Sequence, residues 1–323
     1  MWHSFTEYLR LIRFSHTLFA LPFALLGAAM AITANLHEQP PIYPRGVDFL
    51  GILLCMVFAR STAMAFNRLA DRKYDARNPR TVGRHLSSGK MSVAGVTMFT
   101  ALCAVGFVAS TLLFLPNIIP LVFSVPVLFV LCGYSLAKRF TVFAHLWLGL
   151  SLGLSPLAAW LVFRPELWPL PYPPVLLGVA VMFWSAGFDI IYAFQDREHD
   201  FQEKLYSIPS ALGPWIAYRV IVFFHALMLI CLFCIPSIFP YFGKIWYLGI
   251  CGVFLLLLGE HYTVVSPGIR QNPFFYLERR YYQETTWDGG PEIDAQRLNI
   301  AFFHLNAIIS VALLLVGLFD LYF

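Results

Sequence analysis

Nine long apolar stretches, separated by short polar segments, set the pattern of this 323-residue chain. They run approximately over 16–34, 48–67, 94–114, 118–136, 143–163, 175–194, 215–237, 242–263 and 299–322. A bilayer's hydrocarbon layer takes about 20 apolar residues of helix to cross, and these stretches are close to that length. The pattern predicts an all-α integral membrane protein, with about nine transmembrane helices in one bundle and residues 1–323 forming a single domain. The third and fourth stretches are joined only by a tight turn at Pro116 and Asn117. The segment from Arg164 to Pro174 holds five prolines and reads as a stiff exposed connection. The first stretch contains Pro22 and has no small-residue cleavage site before Asn35, so it reads as a membrane helix and not a removable leader.

Charge adds a direction. Nine crossings place the termini on opposite sides. With the N-terminus inside, 18 of the 22 Lys and Arg fall in inner segments and 3 in outer ones, with Arg60 inside a helix. The positive-inside rule then predicts N-in, C-out. The expected setting is the cell's inner (cytoplasmic) membrane, with segments 68–92, 195–214 and 264–298 facing the cytoplasm. The last of these is long and irregular. It reads as a cap over a site or, more simply, as a loop skimming the membrane. A chain that is 59% hydrophobic and 12% charged is not an ordinary soluble domain. Its net charge of +4 lies in a few loops and carries no feature that reads nucleic acid, so the bilayer is the expected partner. The six cysteines lie in apolar runs. Cys231 and Cys234 form a C-x-x-C, but no His or second pair stands at metal-site spacing.

Two polar stretches carry the candidate chemistry. Asn67 to Thr81 reads NRLADRKYDARNPRT, with Asn67, Asp71 and Asp75 at four-residue steps. Such steps put three side chains along one helix face. Asp189 to Gly213 reads DIIYAFQDREHDFQEKLYSIPSALG, with Asp196 and Asp200 again four apart. Each acid of the second pair follows its counterpart in the first by 125 residues. Carboxylates clustered at a membrane mouth repel one another unless cations neutralise them. Oxygen-only donors suit Mg²⁺, which commonly keeps water and shares its carboxylates with substrate phosphates. The neighbours Arg68, Arg72, Lys73, Arg77, Arg80, Lys138 and Arg139 are basic, and Arg matches phosphate oxygens in pairs. Together these residues read as a diphosphate clamp below an apolar bundle able to hold a lipid tail. The plainer alternative is solvated helix-end acids paired with nearby arginines.

The pattern NRxxDxxxDxxNPRT followed by DxxYAxxDxxxD resembles the UbiA superfamily of intramembrane prenyltransferases. The likeness runs from LIRFSHTLFALPFALLG to the last apolar stretch. It implies Mg²⁺-dependent transfer of a polyprenyl group from a polyprenyl diphosphate to an aromatic acid in respiratory quinone synthesis. A 4-hydroxybenzoate-type acceptor is expected first. DARNPRTVGR and KRFTVFAHLWLGLSLGLSPLAAW also resemble the branch that prenylates a dihydroxynaphthoate-type acid for menaquinone. The resemblance makes Asn67, Asp71 and Asp75 the first metal-binding motif and Asp196 and Asp200 the second, with turnover depending on Asp71 and Asp196. It makes Asp189 an acid near the acceptor that assists deprotonation. It sets Tyr134 and Lys138 beside the diphosphate and Arg13 in the pocket.

Two positions depart from the family's pattern: Lys204 stands where relatives often have Gly, and His199 where close relatives often have an aromatic residue. Arg60 lies on the face of Asn67, seven residues earlier, and would meet either an acceptor carboxylate or Asp189. Tyr134 also fits a simple interfacial tyrosine. His145 and His304 read as packing or hydrogen-bonding residues, and Asn78, Pro79 and Thr81 as shaping a loop. The reading from a different class is a transporter of an anionic lipid or metabolite. Against it, both acid pairs lie at helix ends on one face, with no matching polar path across.

Overall fold

The computed structural model describes residues 19–264 and 300–323. Within these the chain is helical, with no strand. The helices are α1 (Leu21–Leu36), α2 (Gly46–Asp75), α3 (Val93–Thr111), α4 (Ile119–Ala137) and α5 (Ala144–Phe163). They continue as α6 (Tyr172–Ala193), the short α7 (Arg197–Gln202), α8 (Ile208–Ile238), α9 (Lys244–Val264) and α10 (Asn306–Tyr322). Eight helical stretches are long and apolar enough to cross a membrane, and α1 is a shorter apolar helix.

The boundaries differ from the apolar runs where chemistry begins. Apolar residues stop near 67, but α2 continues to Asp75. NRLADRKYD holds no Gly or Pro, so nothing in it breaks the helix until Asn78–Pro79. At 1.5 Å per residue, the 30 residues of α2 span about 45 Å and overrun the hydrocarbon layer. The first motif therefore lies on helix, and the expected loop 68–92 begins only after it. The expected loop 195–214 is also largely ordered: a tight 3-10 turn (Phe194–Asp196), α7, and the start of α8. Gly213 has φ 79° inside α8, just before Pro214, and kinks it there.

Packing divides the bundle. Phe23, Met30, Trp184, Met228, Trp246 and Leu313 fill a dense core between α1, α6, α8, α9 and α10. Within it, Trp184 Nε1 donates to Asn306 Oδ1 at 2.7 Å, and Asn306 Nδ2 donates to Glu260 Oε1 at 2.8 Å. These bonds fasten α6 to α9 and α10, because a polar group buried in apolar surroundings is costly without a partner. The first half is hollow. A cavity of about 440 Å³ lies against α2, α4, α5 and α6.

Close helix approach holds the wall between the halves. A methyl group added at Gly153 would meet Gly178 O at 2.4 Å, and one at Gly149 would meet Met182 O at 2.3 Å. Small residues one turn apart let two helix backbones approach, the usual route to tight packing in lipid. α5 and α6 are thereby held in register, which decides where His145 and Asp189 sit. Gly153→Ala is expected to lower the thermal midpoint in detergent, a loss of about 1–3 kcal/mol from overpacking. An unchanged midpoint would mean that α5 and α6 are not in such close contact.

Candidate active site

The acids of the two motifs reach the cavity from two separate parts of the chain, and each is met by a basic residue from outside its own element. Asn67, Asp71 and Asp75 line the cavity from the last turns of α2, and Asp196 and Asp200 from the end of α6 and from α7. Asn67 Nδ2 donates to Asp71 Oδ2 at 2.8 Å, and Arg139 approaches Asp71 Oδ1 at 3.6 Å. Asp75 is buried and accepts from Arg84 at 2.7 Å. Asp196 accepts from Arg80 Nε and from Asn78 Nδ2, each at 2.8 Å. A second, shorter contact joins the Arg80 guanidinium to the other Asp196 oxygen. Asp200, also buried, lies 3.4 Å from Lys138 Nζ. Burial alone would pull Lys138 down, but Asp200, Asp189, Asp196 and Asp71 outweigh it and hold its pKa above the ordinary lysine value. It is therefore an ammonium at neutral pH.

Of the expected phosphate-facing residues, Arg68, Arg80, Lys138 and Arg139 line the cavity. Arg72 does not, and it is exposed. One residue on from Asp71, it is rotated by about 100° around the helix. Arg60 and Tyr134 line the cavity further in. Arg60 Nε is buried without a hydrogen-bond partner among the described residues. The alternative in which Arg60 pairs with Asp189 is not what the structure shows. Asp189 Oδ2 instead lies 2.6 Å from His145 Nδ1. Arg13 lies outside the described residues, as does all but the first residue of the segment 264–298.

The deep end is mostly apolar, lined by Phe114, Ile119, Phe123 and Leu161, with the hydroxyl residues Thr111 and Ser124 among them. Ile52 and Asp75 both line the cavity from α2, so it follows that helix for about 35 Å at 1.5 Å per residue. The volume and lining suit an amphiphile with a charged head and a long apolar tail.

Some contacts were not legible in the residues. Asn78, expected to shape a loop, also holds Asp196. Arg84 and Tyr192 join the mouth, the second by accepting from Arg80 at 2.8 Å. Their signal is weak, since an Arg in a basic loop and a Tyr at a helix end are ordinary there. Lys204 has φ 54°, a left-handed conformation that favours glycine. The turn after the second motif thus takes a glycine-like backbone shape while carrying a lysine.

On metal, no set of three or more His, Cys, Asp or Glu side chains is gathered into a ready-made cage among the described residues. The donors are nonetheless oxygen, come in two facing pairs and open on one cavity. Such a set fits a cation that completes its shell with phosphate and water.

Helices, cavity and polar mouth define a multi-pass membrane protein built around an intramembrane chamber open to an amphiphilic molecule. A family model described as the UbiA prenyltransferase family matches residues 20–277. The chain belongs to that family, and it is a prenyltransferase. A 4-hydroxybenzoate octaprenyltransferase of Methylobacillus flagellatus is 27% identical over 238 residues, 72% of this chain and 76% of its own. One of Francisella tularensis subsp. mediasiatica is 28% identical over 229 residues, 70% and 76% of the two chains. A UbiA homolog from Aeropyrum pernix, solved in its apo form, superposes with a TM-score of 0.72 at 25% identity, over 93% of this chain and 95% of its own. A UbiA homolog from Archaeoglobus fulgidus, bound to GPP and Mg²⁺, has a TM-score of 0.65 at 19% identity, over 98% and 100%, and shares the fold.

The geometry separates neighbouring arginines. Losing a hydrogen-bonded charged partner costs about 1.5–3 kcal/mol, so Arg80→Ala is expected to lower turnover by roughly 10- to 100-fold. Arg72→Ala should remain within about two-fold of the parent, as surface substitutions usually do. Steady-state rates of the two purified variants check this, and equal losses would contradict it.

Proposed function

We propose that the chain transfers a polyprenyl group from a polyprenyl diphosphate to an aromatic acid of the 4-hydroxybenzoate type, as a step in respiratory quinone synthesis. One observation carries this reading. Both aspartate pairs, Asn67 and the bases Arg68, Arg80, Lys138 and Arg139 face one end of a cavity whose other end is mostly apolar. The named 4-hydroxybenzoate relatives support the acceptor class. A membrane transporter would need a polar route through the far end, where Phe114, Ile119, Phe123 and Leu161 stand.

Asn67, Asp71, Asp75, Asp196 and Asp200 would hold Mg²⁺. When bound, the ion would neutralise the diphosphate and favour its departure. Arg68, Arg80, Lys138 and Arg139 bind the diphosphate oxygens and stabilise the charge that builds as the allylic C–O bond breaks. The apolar wall holds the tail and keeps water from the allylic cation. Arg60 receives the acceptor's carboxylate, with Tyr134 beside it. Asp189 takes the ring proton once the new C–C bond has formed. The charge asymmetry of the loops supports N-in, C-out, so the mouth opens to the cytoplasm of a cell with this protein in its inner membrane. The chain works as a single domain.

The test is prenyl transfer by purified protein in detergent, with geranyl diphosphate and either 4-hydroxybenzoate or a dihydroxynaphthoate, with Mg²⁺ or with chelator. Product from 4-hydroxybenzoate, only with Mg²⁺, is expected. Product from the naphthoate alone would reassign the acceptor, and none from either would overturn the reading. Asp71→Ala should lose of the order of 10²-fold or more in kcat with its thermal midpoint retained. Retained activity would remove the clamp.

Arg60→Ala separates acceptor from donor. It is expected to raise the acceptor KM by roughly 10- to 100-fold, from the loss of a charged hydrogen bond, and to leave the diphosphate KM unchanged. Equal rises in both would make Arg60 structural.

A further inference from the structure

His145 is fully buried on α5, outside the cavity lining, yet it touches the one acid of the site that belongs to neither motif. Its Nδ1 lies 2.6 Å from Asp189 Oδ2. Its Nε2 lies 3.3 Å from the backbone N of Ile208, the first residue of α8. A backbone N–H can only donate, so Nε2 is the acceptor and carries no proton. The ring proton is therefore on Nδ1, which donates to Asp189. The Asp189 carboxylate lines the cavity, and its other oxygen has no hydrogen-bond partner among the described residues.

We propose that His145 is the positioning residue that sets Asp189 for proton removal: it holds Oδ2 and leaves Oδ1 for the acceptor ring. This rests on the aromatic-acceptor reading above. The sequence of bonds is closed. The prenyl C–O bond breaks and its electron pair leaves on the diphosphate. A pair from the ring makes the C–C bond. The ring C–H bond then breaks, its pair restores aromaticity, and its proton goes to Asp189 Oδ1. His145 does not pass that proton on, because Ile208 N–H occupies the only nitrogen that could accept one. It acts as a fixed donor that selects which carboxylate oxygen is free, the general arrangement by which an imidazole is held in one tautomer by the bond at its other nitrogen.

The surrounding structure serves this geometry. The close approach of Gly149 and Gly153 to α6 sets the spacing of the helices that carry His145 and Asp189. On the far side of the ring, α8 starts at the end of the turn after the second motif, where Tyr206 N donates to Lys138 O at 2.6 Å. The tautomer of His145 thus depends on that turn being seated beside the diphosphate-facing lysine.

The experiment compares His145→Gln and His145→Asn in detergent, using the acceptor acid identified above, with and without deuterium at the carbon that is prenylated. Gln reaches the Ile208 side and leaves Asp189 without its donor. Asn places its amide near the former Nδ1 and restores that donor. Expected for His145→Gln is a fall in kcat of about 10²-fold, the usual weight of general base catalysis. Both KM values should stay near the parent's, and a primary deuterium isotope effect absent from the parent should appear. Expected for His145→Asn is recovery of most of kcat. Parent-like kcat in His145→Gln, or equal losses in both variants alongside a lowered thermal midpoint, would overturn the proposal. If Asp189→Asn keeps parent-like turnover, the base role itself fails. If Asp189→Asn is inactive while His145→Gln is active, only the present inference fails. A measurement on the unaltered protein needs no variant to fold: ¹⁵N-histidine NMR is expected to find His145 as the Nδ1–H tautomer, and an Nε2–H tautomer would overturn the proposal.

Discussion

Carboxylates gathered at a membrane mouth repel one another unless each is answered by a cation, and here the answers come from two segments. Arg84 reaches Asp75 from the turns after α2, and Arg80 reaches Asp196 from the same turns. Lys138 meets Asp200, and Arg139 approaches Asp71, both from the end of α4. Apart from the local Asp75–Arg84 pair, the mouth is therefore assembled by charge pairing between chain segments far apart in sequence. Exposed pairs are worth little. Those on the buried Asp75 and Asp200 matter more, because an unanswered charge there would face low dielectric.

That arrangement has a chemical side. On the proposed function, a phosphate head entering the mouth would meet guanidinium and ammonium groups already held there by acids. The same acids offer oxygens to a hard cation when a phosphate competes for their basic partners. The pairs that hold the mouth together are the ones a charged substrate would exchange.

The division of the bundle serves the site as well. α6 belongs to both halves. Its Trp184 is bonded into the dense core, while Asp189 on the same helix and Asp196 in the 3-10 turn that follows face the cavity. Anchoring one stretch of a rigid helix fixes the direction of the rest, so the polar bonds of Asn306 and Glu260 help aim acids they do not touch. Hollow and filled halves are complementary: a long apolar chamber keeps its shape because the wall on one side is well packed.

The residues alone determined the class of fold, since runs of about 20 apolar residues leave a backbone no choice but helix in lipid. Four-residue spacing put Asn67, Asp71 and Asp75 on one face of a helix, and the match of two motifs pointed to a shared site. The need of a buried polar group for a partner was legible in type, but the partners were not. Asn78 read as a loop residue and His145 as packing or hydrogen bonding, because a lone polar residue does not say what lies across from it. Arg72 read as a phosphate contact because spacing in the chain ignores the turn of the helix. The second helix runs past the point where polarity begins, since backbone hydrogen bonding continues until the chain nears a breaker such as Pro79. The Asp189–His145 pair exists only because α5, α6 and the start of α8 meet. Local pattern settles which stretches are helical. Only tertiary packing decides which side chain faces which, because those distances are set by helix approach and not by position in the chain.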